Sequence, residues 1–282
     1  VCRERDFATD WYHHWRTVIG RGVHPLPPDQ VEVWGKVWEG MEGRGLHRKL
    51  WEWAAVSQAL SERGMLAPGR LGLGFAVGQE PLASLFAAHG CRVTASDYPT
   101  DSAGWSDTGQ VASSLQDLHW PNLIRSKHFN ERVDYRVVDM RDLSQLPREH
   151  YDFAWSACSF EHLGSLSAGL DFVRDCMACL APGGVAVHTT EFNISSDEAT
   201  VAEGGSVLYR RRDLEGLACS LRRVGCAIEH LDFEPGWDPH DLGYDEAPFY
   251  STGREHVKLL LGGFVTTSIL LIVRKGPAAD SR

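Results

Sequence analysis

The chain lacks an excess of basic charge, an apolar stretch long enough to span a bilayer, a second cysteine or histidine pair at zinc spacing beside its one CxxC, internal repeats and low-complexity segments. Each absence removes a class of function. With 28 Lys and Arg against 38 Asp and Glu, a net charge of −10 over 282 residues provides no long-range attraction to nucleic acid or to an anionic membrane. A neutral or cationic small substrate is favoured instead. The most apolar late stretch, Leu259 to Val273, is interrupted by Gly262, Gly263, Thr266, Thr267 and Ser268, and is shorter than the roughly 20 residues of a spanning helix. Val1 to Asp6 are mostly charged and apolar-poor, so no signal peptide is expected. Seven scattered cysteines, an odd number, point to reduced thiols and a cytoplasmic protein rather than a disulfide framework. Cys176 and Cys179 form a CxxC inside a helical pattern and are expected to be buried helix cysteines.

What is present is a folded composition, 43% hydrophobic and 23% charged, organised in two styles. The first 66 residues read as helices: Phe7 to Ile19, then Asp29 to Met41 with Pro28 and an Asp29/Glu32 capping-box spacing, then His47 to Glu62 stopped by Gly64. Six of the ten tryptophans, Trp11, Trp15, Trp34, Trp38, Trp51 and Trp53, fall here. They suit either an aromatic lid over a substrate or the packing of a helical appendage onto the main domain, and aromatics at i, i+4 favour packing.

Residues 67–276 read as a second style, short apolar runs alternating with helices. Strands are expected at Leu71 to Phe75, Arg92 to Ser96, Tyr135 to Val138, Asp152 to Ala157, Val185 to Thr189, Ala227 to Phe233 and Phe264 to Val273, with helices at Glu80 to His89, Leu166 to Leu180 and Asp213 to Val224. This alternation predicts an α/β fold, a doubly wound, mostly parallel sheet, carrying an N-terminal helical appendage (1–66), a substrate-covering insertion at 234–258 and a short tail at 277–282.

In such a sheet ligands bind at the carboxyl ends of the strands. The first loop there, Gly72 to Glu80, is glycine-rich and followed by a helix, but its third glycine falls one residue late for a dinucleotide fingerprint, which disfavours a nicotinamide-dependent oxidoreductase. Asp97 ends the second strand 19 residues beyond Gly78, where a carboxylate can hold both hydroxyls of a ribose. Asp139-Met140 follows the third strand, and Ser156 to Leu163 closes the fourth.

These residues resemble the class I S-adenosylmethionine-dependent methyltransferases over about Gly64 to Lys275: Gly74-Phe75-Ala76-Val77-Gly78 as the glycine loop, Asp97 as the ribose acid, Asp139-Met140 beside the adenine, Phe160-Glu161-His162 after strand four and Leu180-Ala181-Pro182-Gly183-Gly184 before strand five. The resemblance implies a seven-stranded sheet with its last strand antiparallel, S-adenosylmethionine as cofactor, and cofactor contacts from Gly74, Phe75, Ala76, Gly78, Asp97, Asp139, Met140 and Ser156. Two positions depart from the pattern. Ala76 replaces the middle glycine, which is tolerated if its φ is negative, and Gly72 replaces a frequent acid, so that Glu80 is the expected partner of the cofactor's amino group.

For a hydroxyl acceptor a base must remove the proton. His188 is the expected base, with Glu191 three residues on to fix its tautomer, and His162 the second candidate at the neighbouring strand end. Glu161, His162, Glu191, Asp238 and His240 are potential metal ligands, but the E-x-x-E-H arrangement of one methyltransferase branch is not reproduced because position 158 is Cys, and a divalent metal is not expected. The expected activity is methyl transfer to a small-molecule or saccharide acceptor at oxygen; the alternative is a catalytically silent S-adenosylmethionine-binding sensor or scaffold.

Overall fold

The computed structural model describes residues 1–23, 45–98, 111–251 and 253–277. Within them the helices are α1 (Asp10–Val23), α2 (Arg48–Glu62), α3 (Leu82–Ala88), α4 (Ser126–Arg132), α5 (Leu166–Cys179) and α6 (Arg211–Arg223). The main strands are β1 (Leu71–Gly74), β2 (Arg92–Asp97), β3 (Val133–Val137), β4 (Tyr151–Ala157), β5 (Leu180–Asn193), β6 (Cys226–Ile228) and β7 (Phe264–Lys275). They lie side by side in the order β3-β2-β1-β4-β5-β7-β6, parallel except for β7, which runs antiparallel to both neighbours. The expected doubly wound sheet with an antiparallel last strand is therefore present. An eighth short strand, Leu259–Leu261, folds back on β7 through Gly262 and Gly263, whose φ values of 57° and 85° make the tight turn. The strand order reverses between β1 and β4, so the crevice for a ligand opens over their carboxyl ends.

Several boundaries differ from the periodicity reading, each for a physical reason. β5 continues to Asn193 rather than ending at Thr189 because β7 pairs with it without a break, from Arg274 opposite Val185 to Thr266 opposite Asn193. β6 shortens to three residues at the sheet edge, since only Cys226 to Ile228 find register with β7. α6 starts at Arg211 rather than Asp213, because the Asp213 carboxylate caps the helix by accepting the Arg210 N–H at 2.9 Å.

Alternation along the parallel strands divides the core into two layers. Phe153, Trp155, Val185 and Val187 face Leu50, Trp53, Ala54 and Phe86, while Ala154, Ala186 and Leu271 face Phe172, Val173, Met177 and Leu217. α2 is thus part of the sheet's own core. Trp15, Trp51 and Trp53 are buried and Trp11 packs against the same cluster, which is the packing reading of the tryptophans. The expected helix Asp29 to Met41, with Trp34 and Trp38, lies outside the described residues, as does the tail beyond 277. The 234–258 segment is tied down by fully buried Lys258, which pairs with Asp241 at 3.2 Å, and by the Arg48 N–H donating to the His256 carbonyl at 2.9 Å. That bond places the segment against the start of α2. No helix among the described residues is long and apolar enough to cross a membrane.

Candidate active site

The loop after β1 is held by β2. Val77 N–H donates to the Ser96 carbonyl, and Gly78 N–H donates to Asp97 Oδ2 at 3.0 Å. Asp97 is buried and also accepts the N–H groups of Ala112 (2.9 Å) and Tyr98 (2.8 Å), so the acid that ends β2 anchors the loop it faces. Burial raises its proton affinity while the three N–H groups lower it, and burial prevails. The glycines of β1 answer to packing rather than to ligand approach. A Cβ on Gly72 would lie 2.4 Å from the Phe153 ring, and one on Gly74 2.4 Å from Trp155. In particular, the place of the missing acid at Gly72 is filled by an aromatic ring.

Ala76 has a φ of +45°, so the negative value on which its tolerance in place of the middle glycine depended is not met; the turn brings the Val77 N–H onto the Ser96 carbonyl of β2. A left-handed conformation costs an L-residue roughly 1–2 kcal/mol. Ala76→Gly is therefore expected to stabilise the fold by up to about 1 kcal/mol after the larger unfolded-state entropy of glycine is subtracted. Urea unfolding measures it.

Of the other expected cofactor contacts, Phe75 and Met140 are core residues: Phe75 is fully buried edge-on against Phe172 at 5.0 Å, and Met140 packs with Val138, Leu146 and Tyr151. Side-chain contact from either is replaced by backbone placement. Asp139 is gripped by Arg141 at 2.7 Å, which holds its carboxyl below the usual range, and the same guanidinium reaches the Tyr98 hydroxyl at 2.9 Å. Ser156 is wholly buried and its Oγ lies 2.8 Å from His188 Nδ1. It positions that ring from beneath the crevice.

The expected His188–Glu191 pair does not form. Residues three apart share a helix face but lie on opposite faces of a strand, and both are inside β5. His188 is fully buried between the edges of Phe160 and Phe172, its Nε2 has no hydrogen-bond partner among the described residues, and burial lowers its pKa to about 3. It is a core residue and not a base at the crevice. Glu191 instead forms an ion pair with Arg48 and accepts the Thr266 hydroxyl at 3.2 Å. His162 turns outward and donates from Nδ1 to the Gly205 carbonyl at 2.8 Å, away from both. Of the potential metal ligands, Glu161 and Glu191 converge, whereas His162 does not and His240 N–H donates to Glu4 at 2.7 Å.

The rim is built by residues the periodicity reading passed over. The first turns of α2 lay Arg48, Lys49 and Glu52 across the ends of β4, β5 and β7. Arg48 pairs with Glu191 and reaches Ser268 Oγ at 3.3 Å. Lys49 pairs with Glu52 at 2.8 Å, approaches Glu80 at 3.7 Å and donates to the Ala157 carbonyl at 3.4 Å. Glu52, fully buried, accepts from Ser268 Oγ and from the Cys158 thiol at 3.1 Å. Burial pushes Glu80 up to about 7 although Lys49 and a Trp53 hydrogen bond oppose it.

Beside this network, three rings and a carboxylate from α2's cap and the 234–258 segment form a cluster. His47 Nδ1 accepts the Lys49 N–H, which fixes Nε2 as the donor to the Tyr250 hydroxyl at 3.1 Å. His256 packs against both, ring centroids 4.8 Å from His47 and 4.7 Å from Tyr250, and donates from Nδ1 to Asp245 Oδ2 at 2.9 Å. Burial and Arg48 lower the His256 pKa to about 4 against the opposing pull of Asp245. The ring is neutral, with its Nε2 lone pair unprotonated.

Residues 73–188, from β1 to β5, match the sequence model of a methyltransferase domain. That segment is similar to a methyltransferase domain. The whole-chain fold agrees: a protein described as a sarcosine dimethylglycine methyltransferase from Galdieria sulphuraria superposes with a TM-score of 0.53 at 14% identity, over 95% of this chain and 99% of that one. The [4+2]-cyclase SpnF gives 0.50 at 16% identity, over 80% of this chain and 81% of its own. No curated protein matches the sequence. In the methyltransferase domain the loop, Asp97 and Asp139 occupy consecutive strand ends.

Proposed function

We propose that the chain transfers a methyl group from S-adenosylmethionine to a hydroxyl of a small molecule or saccharide. The carrying observation is the Asp245–His256 pair at the rim, a neutral imidazole whose tautomer is fixed by a buried carboxylate.

The residues present suit the cofactor. Asp97 Oδ1 accepts one N–H among the described residues and retains a lone pair for a ribose hydroxyl. Glu80, buried and under-compensated, gains from a ligand cation, which fits the ammonium group. S-adenosylmethionine supplies an electrophilic methyl group on a sulfonium. The chain's task is then to hold an acceptor oxygen in line and to remove its proton. His256 Nε2 takes that proton, and Asp245 steadies the imidazolium as it forms. α2 shields the reaction from water with buried ion pairs.

One observation favours the silent-binder reading: the ring of Phe153 stands where the acid before the glycine loop would be. A fold also shared by a cyclase does not fix the reaction. Calorimetry with S-adenosylhomocysteine and NAD tests the cofactor. The expected result is binding of the first only, weakened about 10- to 150-fold in Asp97→Ala, or roughly 1.5–3 kcal/mol for a charge-assisted hydrogen bond. Binding of NAD alone would overturn the assignment, and unchanged affinity in the variant would leave Asp97 a loop anchor only. Turnover with binding intact separates the enzyme from the silent binder.

A further inference from the structure

Cys158, Glu161 and Glu191 bring one sulfur and two carboxylate oxygens to within 4.8 Å of one another over the ends of β4 and β5. They come from three places. Cys158 is the first residue after β4, and its φ of +50° makes the turn there. Glu161 sits in the 3-10 turn Phe160–His162, and Glu191 near the end of β5.

Glu161 distinguishes this cluster from an ordinary ion-pair network. It is fully buried, its Oε2 accepts the Thr190 hydroxyl at 2.9 Å, and its Oε1 has no hydrogen-bond partner among the described residues. Glu191 has Arg48 and Glu52 has Lys49, but no Lys or Arg pairs with Glu161 among the described residues. A buried carboxylate oxygen without a partner is costly, and either a proton or a cation relieves it.

The geometry points to a zinc(II) site formed by the Cys158 thiolate, Glu161 and Glu191. A thiolate ligand selects zinc over magnesium or calcium, and three protein ligands leave one coordination position for a small hydroxide, thiolate or carboxylate donor. Zinc bonds of about 2.0–2.3 Å set the donors closer together than they stand here, so binding draws them in by about 1 Å. On binding, the sulfur–zinc bond forms as the S–H bond of Cys158 breaks and its proton is released; no electrons are transferred. Thr190 and Thr266 orient the two carboxylates from behind, and Arg48 stays on Glu191. The site does not rest on methyl transfer.

Cobalt(II) titration of the chelator-treated chain reads the site without turnover. One equivalent is expected to give a near-ultraviolet thiolate-to-cobalt band that zinc displaces. Cys158→Ser removes the band; Cys219→Ser, at the exposed cysteine, leaves it. Glu161→Gln keeps the band and weakens cobalt binding at least about tenfold. If Cys158→Ser does not fold, Glu161→Gln decides. Absence of the band in the unsubstituted chain, its survival in Cys158→Ser, its loss in Cys219→Ser, or unchanged affinity in Glu161→Gln each overturns the site.

Discussion

Replacing His256 with alanine is expected to lower kcat by about 10²–10⁴-fold with S-adenosylhomocysteine affinity little changed, the usual effect of removing a general base. The neutral ring, its Nδ1–H on Asp245 and its position beside Arg48 at the rim supply the geometry. Asp245→Asn keeps the shape but loses the charge that steadies the imidazolium, so it should fall between the unsubstituted chain and His256→Ala. The pH profile carries the sign. Because the His256 pKa is lowered to about 4, the base stays unprotonated on falling through pH 6.5, and the acid limb of kcat should lie near pH 4. A limb near 6.5, or normal turnover in His256→Ala with a hydroxyl acceptor, would remove His256 from the mechanism.

Acid should destabilise the fold as the pH falls below about 6.5. His188 and His256 are held neutral by burial, with folded pKa values of about 3 and about 4 against the ordinary histidine value of 6.5. Both are depressed, so the unfolded chain binds more protons below pH 6.5; stability is full above that value and lost as the pH falls. His47, also lowered well below its ordinary value by burial, acts in the same direction. Glu80 opposes them: its folded pKa, raised to about 7, adds stability as the pH falls from 7 toward 4.5. Each group contributes up to about 1.4 kcal/mol per pH unit inside its window, so two histidines against one glutamate leave a loss of up to about 1.4 kcal/mol per unit between pH 6.5 and 4.5. Urea-unfolding free energies at pH 7, 6 and 5 measure the slope. His188→Gln should reduce it by about one group's share, and an unchanged slope in that variant would mean that the buried imidazole is not the source.

The sheet was legible because its evidence is local: apolar runs, glycine turns and an acid at the end of β2 all lie within a few residues of one another. The rim was not, because its parts meet only through the fold. Arg48, Lys49 and Glu52 have the spacing of a solvated helix face, and nothing nearby in sequence signals that Glu191, Cys158 and Ser268 will bury them. Asp245 and His256 lie in a segment of irregular structure with no periodicity to read. The mistaken pairing of His188 with Glu191 has a similar origin. Ending β5 at Thr189 placed Glu191 in a loop, whereas the strand is prolonged by β7, a partner more than 70 residues away in sequence.

The ion pairs of α2 constrain how this rim can change. Removing one member of a buried pair strands the other at a cost of roughly 3–5 kcal/mol. A single substitution at Arg48, Glu191, Lys49 or Glu52 that altered acceptor preference would therefore consume much of a typical domain's stability. Compensated double replacements, Arg48 with Glu191 or Lys49 with Glu52, avoid that cost, and a library randomised one position at a time would miss them.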